Sequence, residues 1–100
     1  MTSRYKLIVE YLKSFEATLE ATQEIVLKFP EYGVQFPLVS TVSGGEDFIA
    51  FELQNTDGRL LTVIQNYSQL NFAIVSQTKE NPSEPVRRIG FKGDEFSSKP

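Results

Sequence analysis

From Val34 onward, short runs with apolar residues at every second position alternate with glycine turns, and this constrains the fold more than any other feature. Phe48 to Gln54 is the clearest run, with Ile49, Phe51 and Leu53 on one face. Ser43-Gly44-Gly45-Glu46 before it reads as a hairpin signal. Asn55-Thr56-Asp57-Gly58 after it reads as a second turn, because Asp-Gly favours the positive φ angles of tight hairpins. Leu60 to Gln65, Leu70 to Gln77 and Val86 to Phe91 predict three more strands. The stretch Lys79 to Pro85 is a polar loop, and Lys92-Gly93-Asp94 turns the chain toward a short last segment. Val34 to Val42 reads as a further strand. Pro37 within it fits an edge strand or a late strand start, since proline offers no N–H to a ladder.

The period upstream is different. Tyr5, Ile8, Leu12, Phe15, Leu19, Thr22, Val26 and Phe29 recur at steps of three and four. This predicts one helix over 3–29, capped by Thr2 or Ser3 and stopped by Pro30. Such a helix is roughly 40 Å long at about 1.5 Å per residue, against about 23 Å for a seven-residue strand. It overhangs any sheet it covers, or breaks near Lys13-Ser14. Its stripe covers the domain's own core or, in the overhang, a neighbouring subunit. The 100 residues form one domain. The predicted fold class is α+β, mainly β: an N-terminal helix, then a strongly bent five-stranded antiparallel sheet, with Val34 to Val42 as an extra strand.

The chain has no cysteine, histidine or tryptophan. Zinc sites built from Cys and His, Cys or His nucleophile pairs and the Ser-His-Asp triad are excluded, and no cofactor or metal is implied. The net charge of −3 opposes strong non-specific binding to nucleic-acid phosphates. No apolar run approaches the roughly 18 residues of a membrane span. The N-terminal residues lack a signal-peptide layout, so a cytoplasmic protein without membrane contact is expected.

Three fragments carry a family resemblance: the turn Asp57-Gly58-Arg59, the passage Leu70-Asn71-Phe72-Ala73-Ile74, and Ile89-Gly90-Phe91-Lys92-Gly93-Asp94. In order and spacing they resemble the two-part signature of the Sm-like family, over residues 46–97. The resemblance implies that the first motif holds strands one to three. It also implies a small SH3-like open barrel that closes its edges by forming a ring, with single-stranded RNA held where two loops meet at the pore. By position, Asn71 would bond a base edge and Gln69 would stand at the stacking position, with Tyr67 as a nearby aromatic substitute. Lys92 would pack on the other side, with Gly93 and Asp94 shaping the loop. The chain departs from the pattern at Val63, near where the family's bending glycine falls, and at Tyr67 or Ser68, where an acidic residue is expected. Gln69 is not aromatic, so the stacking contribution of about 1–3 kcal/mol per base is largely missing there. Separately from the resemblance, an open meander leaves two edges of unpaired backbone groups, so a homo-oligomer joined through sheet edges is expected. Together these give a non-enzymatic, homo-oligomeric binding module.

Other patterns have plainer readings. Arg87, Arg88 and Lys92, interleaved with Phe91 and Phe96, form a basic-aromatic cluster that suits nucleic acid or, more simply, a guarded edge strand. Pro82-Ser83-Glu84-Pro85-Val86-Arg87 matches PxxPxR, Ser3 to Lys6 matches SxxK and Asn66-Tyr67-Ser68 is a glycosylation sequon; each reads as local loop or helix-start sequence. Glu46-Asp47 and Asp94-Glu95 are turn acids, and Glu16, Glu20 and Glu24 form a water-facing helical strip. A rival reading is a monomeric inhibitor of cystatin-like layout, since Ser40-Thr41-Val42-Ser43-Gly44 loosely resembles a QxVxG loop. A domain without nucleic-acid binding is the other. An enzyme would need a pocket of convergent polar groups, which the sequence does not display.

Overall fold

The structure is a computed structural model that describes residues 3–79 and 88–92. Helix α1 (Arg4–Ala17) leads into β1 (Gln23–Phe29), β2 (Val34–Gly44), β3 (Phe48–Gln54) and β4 (Leu60–Asn66). A 3-10 turn at Tyr67–Gln69 joins β4 to β5 (Ala73–Thr78), and a short β6 (Gly90–Phe91) follows. The sheet order is β4-β3-β2-β1-β5, all antiparallel, with β6 pairing β2. The fold is therefore a helix followed by a mostly antiparallel, open sheet, as expected.

The helix expected over 3–29 is corrected to 4–17. Ser3 caps it, its Oγ accepting the Lys6 N–H at 3.1 Å. Thr18 ends it by turning its hydroxyl onto the Phe15 carbonyl at 2.7 Å. A tight turn follows, in which the Gln23 N–H reaches the Glu20 carbonyl at 2.9 Å and the Gln23 side chain accepts from the Glu20 N–H at 3.0 Å. The chain then runs as β1, which bonds to β2 on one edge and β5 on the other. Ile25, Val26, Leu27 and Phe29 are all buried, so β1 shows no clean alternation, and its apolar spacing continued the helical stripe by coincidence. Ladders on both edges outweigh the helical reading.

The Val34–Gly44 strand is central, not an edge. Its first part pairs with β1 up to Pro37, and its second part pairs with β3 from Leu38 onward. Pro37 thus stands where one ladder ends and the next begins, and a register shift between Leu38 and Ser40 marks the bend there. The edge of β2 that β1 leaves is taken by β6, in register Ser40↔Gly90 and Thr41↔Phe91. That pairing is parallel, whereas an antiparallel strand was expected for Val86 to Phe91. Of the expected turns, Asn55–Gly58 forms as read, with Gly58 at φ +87, and Gly45 turns β2 into β3 at φ +82.

Residues of the concave side form one core. Ile49, Phe51 and Leu53 are fully buried, facing Leu27 and Phe29 of β1 and Val9 and Leu12 of α1. The rings of Phe29, Phe51 and Phe72 form a triangle with centroids 4.9–5.7 Å apart. The helix is tied to this face by the Tyr5 hydroxyl, 2.9 Å from the Thr41 side-chain oxygen.

Candidate functional site

Of the described residues that the Sm-like resemblance singles out, Tyr67 is buried, Gln69 and Asn71 are exposed, and Lys92 is paired with Glu52. The segment Asp57 to Ile74 forms β4, the 3-10 turn and the start of β5, where the resemblance implies strands one to three. Tyr67 is 8% exposed and packs in the core, so its ring faces no ligand. Its N–H donates to the Asp47 carbonyl at 3.0 Å, which joins the β4–β5 connection to the β2–β3 turn. Its hydroxyl is buried without a well-formed hydrogen bond among the described residues. Burial raises the phenol pKa, the Ser43 side chain offsets part of that, and Tyr5 adds to it. Because an unmet buried hydroxyl costs free energy, Tyr67→Phe is expected to hold or raise stability by up to about 1 kcal/mol in urea denaturation. A clear loss would show that the hydroxyl has a partner in solution.

Gln69 and Asn71 are exposed. The Asn71 N–H donates to Gln65 Oε1 at 3.2 Å, and Gln65 is buried on the concave face opposite Ile49. Lys92 lies on the other face. Its N–H continues the β6 pairing to the Thr41 carbonyl at 2.9 Å, and its ammonium is 2.9 Å from Glu52, which alternates outward beside Thr62. Gly93 and Asp94 fall outside the described residues, as do Arg87, Phe96, the PxxPxR stretch and Asp94-Glu95.

The outward cluster of Ser40, Glu52 and Lys92 holds β6 in place. The Ser40 hydroxyl donates to the same Glu52 oxygen that receives Lys92. These bonds, Ser40 first and then Lys92, lower the Glu52 pKa against the opposing effect of burial. Lys13 lies 5.4 Å from the centre of the Phe91 ring, and Glu16 accepts the Ile89 N–H at 3.2 Å, so α1 grips the same segment. A depressed carboxylate pKa stabilises the fold above the unfolded value near 4.3, and that contribution is lost as pH falls through the folded value. Glu52→Gln is therefore expected to flatten the acid limb of stability below about pH 4. Near pH 7 the expected cost is only about 0.5 kcal/mol, the scale of a partly exposed pair. Faster amide exchange at Phe91 and Lys92 is the more sensitive readout; unchanged exchange would mean that the cluster does not hold β6.

A cleft of about 390 Å³ opens where β1 and β3 part at the bend of β2. Glu16, Glu20 and Glu24 line it, although only Glu16 is helical: the expected strip is replaced by a gathering around this cleft. Glu24 accepts from the Gln77 amide at 3.0 Å, and Glu16 is engaged by Ile89. Lys79, which the sequence placed in a polar loop, brings its ammonium to the same wall, where it is buried and makes no hydrogen bond among the described residues. Arg88 stands at the rim. The described residues contain no cluster of three metal-ligating side chains.

The third feature is the pair of free edges. Among the described residues β4 pairs only with β3, and β5 only with β1. Neither Leu60–Asn66 nor Ala73–Thr78 contains a charged residue or a proline. Beside β5 runs an apolar groove between Phe72 and Ile74 and the helix residues Leu7, Ile8, Tyr11 and Phe15. Leu7 and Tyr11 were not singled out in the sequence, because they lie off the buried stripe; a second apolar pair four residues apart was the available signal. The segment Ser40–Gly44 lies within β2, with Ser40 and Thr41 buried, and so does not form the projecting loop that an inhibitor reading requires. No helix of the described residues is long and apolar enough to cross a membrane. Comparison with known protein families, with curated proteins and with solved structures finds no match.

Proposed function

We propose that this protein is a homo-oligomeric binding module, assembled when the β4 edge of one copy pairs with the β5 edge of the next. One observation carries this reading: both end strands are free among the described residues, and neither carries the usual guards of an exposed edge. Monomeric sheets blunt their edges with lysine, proline or bulges, because unpaired N–H and C=O groups otherwise recruit strands. Here the lysines and the bulge lie elsewhere. Pairing one copy's β4 with another's β5 uses both free edges of every copy, in a head-to-tail contact that closes into a ring if the rotation allows.

The Sm-like resemblance supports the same arrangement and adds single-stranded RNA as ligand. Exposed Gln69 and Asn71 suit that addition; the net charge of −3, the buried Tyr67 and the pairing of Lys92 with Glu52 weigh against it. Assembly is the part the geometry favours. Light scattering coupled to size exclusion tests it directly: a discrete species of about five to eight subunits is expected, and a monomer at high micromolar concentration would sink the reading. Titration of that species with a labelled oligouridine tests the ligand, with loss of binding expected in Asn71→Ala combined with Lys92→Glu.

A further inference from the structure

Four of the large hydrophobic side chains exposed among the described residues fall on just two surfaces. Leu60 and Ile64, 59% and 56% exposed, stand on the outward face of β4. Leu7 and Tyr11, 55% and 65% exposed, border the groove beside β5, on the concave side with Phe72 and Ile74. One surface projects and the other is recessed. Their lengths agree: Leu60 and Ile64 are about 13 Å apart along a strand, and Leu7 to Phe15 covers about 12 Å along a helix. Each surface lies beside one of the two unguarded edges.

We infer that Leu60 and Ile64 of one copy seat in the Leu7–Tyr11–Phe15–Phe72–Ile74 groove of the next. This rests on the edge-pairing reading and adds its sidedness. With four antiparallel steps between them, β4 and β5 run in the same direction. Parallel pairing of β4 with a neighbour's β5 therefore puts the even-numbered β4 residues on the Ala73–Val75 face, whereas antiparallel pairing turns the neighbour over and puts them on the Phe72–Ile74 face. If they lie beside Ala73 and Val75, Leu7 and Tyr11 stay in water. If they lie beside Phe72 and Ile74, all four exposed side chains are buried at once. Apolar burial selects the second arrangement. The occupant of the groove is thus a second copy of this chain, and α1 belongs to the interface as well as to the core.

The absence of cysteine permits a direct test. Two single-cysteine chains, Tyr11→Cys and Ile64→Cys, are mixed and oxidised, alongside a second mixture of Val75→Cys with Ile64→Cys. Both positions of the first pair are more than half exposed, so folding is preserved, and each variant's thermal midpoint verifies this. A disulfide requires Cα atoms within roughly 7 Å, so linkage reports the face directly. The expected result is a linked dimer as the dominant product of the Tyr11–Ile64 mixture and none from either chain alone. Linkage of Val75 with Ile64 in its place would overturn the sidedness while leaving edge pairing intact. An assembled species that links in neither mixture would also overturn it, and a monomer by light scattering would remove the edge pairing itself.

Discussion

Phe51→Ala is expected to remove about 3–5 kcal/mol of stability, the cost of deleting a fully buried aromatic ring. The ring is fully buried, and it sits 5.5 Å from Phe29 and 4.9 Å from Phe72, so it joins β3 to β1 and to the approach of β5 across the bend. Its loss leaves a cavity between the two halves of the sheet, which the rigid ladders on either side cannot close. A domain of this size has only about 5–15 kcal/mol in total, so a large share is lost. The thermal midpoint is expected to fall by roughly 15–30 °C. Urea denaturation should show a lower midpoint with an unchanged slope, since the surface exposed on unfolding hardly changes. A loss under about 1 kcal/mol would mean that the three-ring cluster is not the packed centre of the protein in solution.

Leu60→Lys combined with Ile64→Lys is expected to convert the assembly to monomers without unfolding them. Both side chains are mostly exposed within one copy, so replacing them costs the isolated domain little. In the assembly, each buries an apolar side chain worth about 1.5–3 kcal/mol, and the new ammonium groups give the edge the guard it lacks. The combined loss weakens each contact by roughly a hundredfold or more. Light scattering at micromolar concentration should then give the mass of a single chain, with a thermal midpoint close to that of the parent measured at equal dilution. Retention of the full mass would show that β4 is not part of the contact, and a collapse of the midpoint would show that the strand needs these residues for folding.

Much of the sheet was legible because turn chemistry is local. Phe48 to Gln54 was readable because Ile49, Phe51 and Leu53 put one face of β3 in the core while Glu52 and Gln54 mark the other, and Asp57-Gly58 fixes the next hairpin through the φ that glycine supplies. The first strand was hidden for the opposite reason. With Val26 buried on the face opposite Ile25, Leu27 and Phe29, and with ladders on both edges, Gln23–Phe29 has no clear alternation to display, and its apolar spacing matched the stripe of α1. Pro37 misled in a similar way: proline at an edge and proline at the hand-over between two ladders look the same in sequence. Of the candidate site, Asn71 and Lys92 were legible as turn residues, but sequence distance says nothing about which face of a sheet a residue reaches.

The sequence by itself determined the local choices: where α1 starts, where the chain turns, which face of β3 is apolar, and the exclusion of cysteine and histidine chemistry. Only the tertiary structure decided what those elements do. It ended the helix at Ala17 by giving Gln23–Phe29 two ladders, and it bent β2 where its partners change. It also buried Tyr67, paired Lys92 with Glu52, and left β4 and β5 as the free ends. The physical reason is that caps, turns and alternation depend on neighbours a few residues away. Edges, clefts and burial depend on residues far apart in sequence, whose meeting only the closed packing of the whole chain sets.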